Sequence, residues 1–296
     1  MSKITYDTDK GGYQRKVIIK SVLIYIVLVI LTIICLAPLW ILFVSSTLES
    51  SQTSKFTLIP GSYFFKNYKT LTTDETFSKS YLPWYGLRNS LIIAGCCAAL
   101  TVFFAALTAY GLVVYDFKLK TPAFVFIIAV MMIPTQVTAV GFISLMEKFH
   151  LQGKYALLIL PSIAPPAVVF FMRQYLLSSF PLDIIEASRI DGASEFRTFL
   201  TISIPMMKPA FAVQAIFAFI SKWNDYYTQS LVLAVGSDVK KQTLPIMVNS
   251  VSSVRNQIDH GAVNFAIFFS IIPVALVYIL LSRFIIGGVA AGGVKE

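Results

Sequence analysis

The chain has 296 residues, 56% of them hydrophobic and only 13% charged, with a mean hydropathy of +0.74. Soluble domains carry about a quarter charged residues, and a soluble core of this length cannot hide so much apolar surface; the natural solvent is lipid. The net charge of +9 is not arranged as a basic stripe with interleaved aromatics, so it excludes nucleic acid and instead fits helix orientation and anionic lipid.

The N-terminal segment, residues 1–20, carries Lys3, Lys10, Arg15, Lys16 and Lys20 ahead of the charge-free run Ser21–Leu48. That run is too long for a cleavable signal and predicts a retained first span, about 18–44. A helix needs about 20 apolar residues to cross a hydrocarbon core of roughly 30 Å. Further runs predict spans at about 88–115, 121–146, 155–177 and 261–284. A sixth, about 206–235, is interrupted by Lys222 and Asp225. The runs are continuous rather than alternating, so the expected fold is all-α with six transmembrane helices, not a β-barrel. The basic flank of the first span puts both termini in the cytoplasm. Residues 21–286 then form the membrane domain and 287–296 a cytoplasmic tail.

Cys35, Cys96 and Cys97 lie in apolar runs and read as small hydrophobes. His150 and His260 have no ligand partners at useful spacing, so no metal centre is expected. Two outer segments, about Ser45–Gly86 and Gly236–His260, mix aromatic, Gly, Pro and Ser residues. They are ordinary connections or a docking surface outside the membrane. Prolines inside the runs (Pro38, Pro134, Pro161, Pro165, Pro166 and Pro273) remove intrahelical hydrogen bonds and predict kinks. Thr135 and Gln136, beside one of them, are candidates for a pathway wall.

The most informative stretch is the loop 178–205. Pro181 suits a first helical turn, and Asp183 complements the positive end of the dipole. Asp191-Gly192 reads as a stop with glycine in the left-handed position, and Ser194 as the cap of a second short helix ended by Pro205. Ile184, Ala187, Ser188 and Asp191 share one face of the first arm by spacing. Arms of roughly ten residues are marginal alone, because helix nucleation is costly, so the pair needs a surface to lie on. That surface is either its own bundle or another protein.

Lys222 and Asp225 stand three residues apart and can pair. Each would cost about 2.5–3.5 kcal/mol facing lipid at a helix centre. With Trp223 and Asn224 they form either the outer mouth of a solute pathway or a structural pair at the membrane boundary.

Glu186-Ala187-Ser188-Arg189-Ile190-Asp191-Gly192-Ala193, followed by Ile204-Pro205 and Pro209, resembles the EAA signature of binding-protein-dependent ABC importer permeases. Met131-Met132-Ile133-Pro134, Trp223-Asn224-Asp225, Thr243-Leu244-Pro245 and the Gly287–Lys295 tail resemble the carbohydrate-uptake branch. One departure is Ser188, where the signature has a second alanine. The resemblance implies a type I permease fold and a non-enzymatic subunit in a bacterial cytoplasmic membrane. By the same resemblance the subunit would carry a sugar, an oligosaccharide in expectation, and the loop would be a coupling helix–turn–helix docked on an ATPase. Within it Glu186 and Asp191 would be polar anchors and Gly192 the turn. Ala187, Ser188 and Ala193 would be close-approach positions, with Gly292, Gly293, Val294 and Lys295 of the tail as second-rank ATPase contacts. The implied partners are a second, different permease, a P-loop ATPase dimer and an external solute-binding protein that meets Thr243, Leu244 and Pro245.

No G-x-x-x-x-G-K-[ST] loop exists in the chain: Gly153-Lys154 is followed by Tyr155. No cofactor is therefore expected in this subunit, ATP and Mg belonging to the partner ATPase. Rival readings are a permease of the same architecture for a peptide or a glycerol-phosphate compound, and a self-sufficient secondary transporter. The latter usually shows internal symmetry, which these runs lack. An intramembrane enzyme would need acids or nucleophile pairs inside the spans, which are nearly absent.

Overall fold

The computed structural model describes residues 10–151, 153–233, 238–253 and 259–292. Among these no strand occurs. The first helices are α1 (Lys10–Ser46), α2 (Phe64–Thr73), α3 (Glu75–Ser78), α4 (Pro83–Val114), α5 (Lys120–Met131) and α6 (Thr135–Lys148). There follow α7 (Ala156–Ile159), α8 (Pro166–Ser179), α9 (Asp183–Ile190), α10 (Glu195–Thr198) and α11 (Ile204–Met206). The chain continues with α12 (Lys208–Trp223), α13 (Tyr226–Leu233), α14 (Leu244–Ser252) and α15 (His260–Gly292). The all-α expectation holds.

Four helical stretches among the described residues are long and apolar enough to cross a membrane: Val17–Ser46, Glu75–Val114, Ala156–Ser179 and His260–Leu280. A fifth arises if Glu195–Met206 and Lys208–Trp223, bent by 81°, count as one. The expected third span differs. It divides at Met132–Pro134 into α5 and α6, because proline offers no N–H and its ring pushes the preceding residue out of the helical region. The fourth run is interrupted in the same way: Pro161 lies in a 3-10 turn, Leu160–Ile163, and Pro165-Pro166 open α8. Pro38 and Pro273, by contrast, sit inside the unbroken α1 and α15.

The described residues fall into two compact units. One contains residues up to Tyr68 together with Asp259–Phe268. Here every side chain of α1 from Val22 to Leu31 is exposed, as suits lipid or another apolar surface. Its C-terminal end is fastened by the buried Asn67, whose Nδ2 donates to the carbonyls of Ser46 and Leu48, each at 2.9 Å. Gly261 lies against this clamp. A Cβ there would stand 2.6 Å from the Leu48 carbonyl oxygen, so only glycine lets the two backbones approach.

The other unit runs from Lys69 and resumes at Phe269. Its centre is α4, on which α7, α8, α12 and α14 all pack. The buried stripe on α4 consists largely of small residues, among them Ala94, Cys97, Ala98, Thr101, Ala105, Ala106 and Ala109. Lipid offers little hydrophobic drive between helices, so close approach over small side chains supplies the contact. Toward the C-terminal end of α4, Tyr110, Met172, Leu176, Ile185, Phe199 and Met207 form one buried cluster. The loop 178–205 is built onto this cluster.

Candidate functional site

The loop starts where α8 ends, at Phe180. Asp183 and Glu186 occupy the first turn of α9 and Arg189 the last, each complementing the helix dipole. The stop is as expected. Gly192 has φ +75°, and Asp191, Gly192 and Ala193 donate their N–H groups to the carbonyls of Ala187, Arg189 and Ser188, at 3.0–3.1 Å. Ser194 is at the N-cap of α10 in extended conformation, but its hydroxyl makes no cap bond. Past α10 the helix loosens into a π turn, Phe199–Ser203, then continues through α11 to the sharp bend at Met207.

The two arms are joined to each other and to the bundle. Ile185 is buried in the cluster below, and the Ser188 hydroxyl donates to the Ile185 carbonyl at 2.8 Å and meets the Thr198 hydroxyl at 3.1 Å. Arg189 Nε donates to Glu195 Oε1 at 2.7 Å, and its Nη2 reaches Oε2 at 3.3 Å. The Tyr115 hydroxyl, just past α4, donates to the same Oε2 at 2.8 Å. The Arg189 bond, and after it the Tyr115 bond, hold the Glu195 carboxyl below the ordinary carboxylate pKa.

The packing face of α9 is therefore Ile185 and Ser188, rather than a single face shared by Ile184, Ala187, Ser188 and Asp191. Glu186, Ala187, Asp191 and Gly192 are exposed and Ala193 is half-buried, whereas Ser188 is spent on holding the arms together. Sequence reasoning missed the apolar members of the outer face. Ile190 is 87% exposed and Phe196 58%, and Leu182 is exposed too; Ile184, exposed as well, is the one of them that the spacing had named. Their signal was present, since large apolar side chains in a charged loop have no lipid to face. In the tail, Gly292 is the last residue of α15, and Gly293, Val294 and Lys295 lie outside the described residues.

The second group of candidates surrounds the break between α12 and α13. Lys222 and Asp225 do pair, Nζ to Oδ2, at 3.4 Å. Asp225 Oδ1 also accepts from the Thr228 N–H at 3.0 Å, which starts α13 and ends the expected single span. Trp223 is buried, stacked on Phe219, with its indole N–H donating to the Ser270 carbonyl at 3.1 Å. Asn224 is exposed. It borders a cavity of about 400 Å³ whose lining includes Trp223, Tyr226, Pro245, Asn249 and Ser252. The Tyr226 hydroxyl donates to Asn249 Oδ1 at 3.0 Å. Tyr226, Asn249 and Ser252 are cleft residues that sequence spacing did not single out, because only folding brings α14 against the break. Thr135 and Gln136 open α6, and their side chains lie outside the described ones.

Thr243 and Leu244 are buried in the chain's own core. The Thr243 hydroxyl donates to Gln229 Oε1 at 2.5 Å, and the Leu244 N–H donates to Ser90 Oγ at 3.0 Å. Asn89 Nδ2 donates to the carbonyls of Lys240 and Gln242, each at 2.8 Å. Of the three residues named for a binding-protein contact, only Pro245 keeps surface.

The family model for binding-protein-dependent transport system inner membrane components matches residues 101–287. The arabinooligosaccharides transport system permease protein AraQ of Bacillus subtilis (strain 168) is 34% identical over 273 residues, which is 90% of this chain and 92% of the relative. The trehalose/maltose transport system permease protein MalG of Thermococcus litoralis is 30% identical over 285 residues, 95% of this chain and 99% of the relative. Among solved structures, a bacterial ABC transporter involved in the import of the acidic polysaccharide alginate superposes with a TM-score of 0.75. That match covers 95% of this chain and 99% of the other at 20% identity, a likeness of fold. The chain belongs to the family of binding-protein-dependent transport system inner membrane components, and is a multi-pass permease subunit of an ABC importer rather than an enzyme.

Proposed function

We propose that this chain forms half of the pathway for an oligosaccharide, pairs with a second, different permease, and is driven by a cytoplasmic ATPase dimer that binds ATP and Mg. The chain crosses the membrane six times, α5 and α6 together making the third crossing, so both termini share one side, and the basic flank of the first span favours the cytoplasm for it. The observation that carries the reading is the α9–α10 loop. It is fastened internally by Ser188, Thr198, Arg189 and Glu195, yet leaves Ile190 and Phe196 uncovered. A water-facing helix pair with bare apolar side chains needs a protein partner. Glu186 and Asp191 add polar anchors beside that surface, and Ala187 and Gly192 permit close approach. The tail residues Gly292, Gly293, Val294 and Lys295 supply a second contact with the same ATPase. Because the loop is stiff, closure of the ATPase moves it as a rigid body and transmits rotation to the spans.

The sugar reading is supported by the printed substrates of the relatives and by the cleft at the α12–α13 break, where Asn224, Asn249 and Ser252 offer amides and a hydroxyl beside Tyr226. Thr135 and Gln136 are further wall candidates. An external solute-binding protein delivers the sugar to the segment carrying Pro245. The test is purification of the tagged chain with its co-purifying proteins, followed by ATP-driven uptake in proteoliposomes. A second permease, a P-loop ATPase and uptake of an oligosaccharide support the reading. Uptake of a glycerol-phosphate compound or a peptide instead overturns the sugar, and ATP-independent uptake by the chain alone overturns the importer assignment.

A further inference from the structure

The covalent route from the α9–α10 loop into α12 is mechanically interrupted twice. The chain passes through the π turn Phe199–Ser203, and then bends by 81° at Met207. A second route leaves the loop at Glu195, before either irregularity. Glu195, at the start of α10, is held on one side by Arg189 of α9 and on the other by the Tyr115 hydroxyl, 80 residues away in sequence. Tyr115 follows directly on α4, the helix against which α7, α8, α12 and α14 all pack. Below this polar contact the Tyr115 ring meets the Tyr110 ring edge-on at 6.0 Å, and Tyr110 meets Phe199 at 5.3 Å. Carboxylate and rings thus connect the loop to the C-terminal end of α4 over two adjacent levels.

We propose that Glu195 is a positioning residue that pins the coupling loop to α4, so that a displacement of the loop moves α4 with it. The carboxylate is suited to this task because it accepts from both arms of the connection at once: two donors of the Arg189 guanidinium and one phenolic hydroxyl. The loop is then read by the central helix of the unit, in addition to the helices that continue its chain. This rests on the importer reading.

Two variants test the pin in the assembled importer, Tyr115→Phe and Glu195→Gln. Each removes a bond of the pin while keeping the side chain's size. Uptake and ATP hydrolysis are measured on the same proteoliposomes. The expected result is a fall in solute transported per ATP hydrolysed of about five-fold or more. An unchanged ratio in both variants overturns the pin, including when less complex is recovered, since a merely structural role lowers the amount of complex and not the ratio. A second measurement does not depend on transport. Site-specific spin labels at Lys118 and Arg197 should give one narrow distance distribution in the parent chain and a broad one in Tyr115→Phe. Equal widths overturn the proposal, whereas a parent complex without ATP-driven uptake overturns the importer reading and leaves the distance result to judge the pin.

Discussion

The loop between α8 and α12 and the segment from Asp238 to Ser252 are two parts of the larger unit that carry family-like motifs outside the long helices, and they are built in opposite ways. In the loop, the signature residues Glu186, Ala187, Asp191 and Gly192 face outward and only Ser188 is buried. In the other segment, Thr243 and Leu244 are completely buried, and the backbone from Lys240 to Leu244 is tied down by Asn89, Ser90 and Tyr155. The first motif presents a surface and the second anchors a segment. A motif alone thus does not say whether its residues face a partner or the core; burial does.

Breaking the loop should have the largest effect. Gly192→Pro cannot adopt φ +75° and also loses the N–H that donates to the Arg189 carbonyl, so both the turn conformation and one of its hydrogen bonds are broken. ATP-driven uptake should fall by more than about ten-fold while the chain remains in the membrane; substrate-stimulated ATP hydrolysis equal to the parent would show that the turn does not matter for coupling. Glu186→Arg should likewise uncouple uptake, by reversing the charge at an exposed anchor.

In the buried segment the same kind of change should act on stability. Asn89→Ala strands the carbonyls of Lys240 and Gln242, costing about 1–3 kcal/mol, which thermal unfolding in detergent would register. Thr243→Val leaves Gln229 Oε1 without its donor and should cost about 1–2 kcal/mol, with transport per ATP preserved in the complex that survives. If Thr243→Val instead lowers that ratio at normal stability, the anchoring assignment is wrong.

The smallest effect sharpens the comparison through pH. The folded-state pKa of Glu195 lies below its ordinary value of 4.5, so its contribution is fully present above that value. It is lost as pH falls through the lowered pKa. The Lys118–Arg197 label distance should therefore be constant from neutral pH down to about 5, and broaden only under more acidic conditions. Broadening between pH 7 and 6 would point to a different titrating group.

Much of this was legible from local pattern. The lipid-length runs, the helix stop at Asp191-Gly192, the capping position of Ser194 and the Lys222–Asp225 pair each follow from composition or from residues within four of one another. What was not legible was where a run breaks: Pro134 splits a span although Pro38 does not, and Asp225 starts a new helix by capping Thr228. Proline only makes a break inexpensive, and packing decides whether the chain uses it.

By itself the sequence determined the solvent, the helical class and the shape of the loop, because these depend on hydrophobic run length and on backbone preferences at single residues. Only the tertiary structure decided that Ser188 ties two arms, that Thr243 is an anchor, that Tyr226 and Asn249 share a cleft, and that Glu195 meets Tyr115. Each of these joins residues separated by ten or more positions, and no periodicity reaches across that distance; it is the packing of one element on another that brings them together.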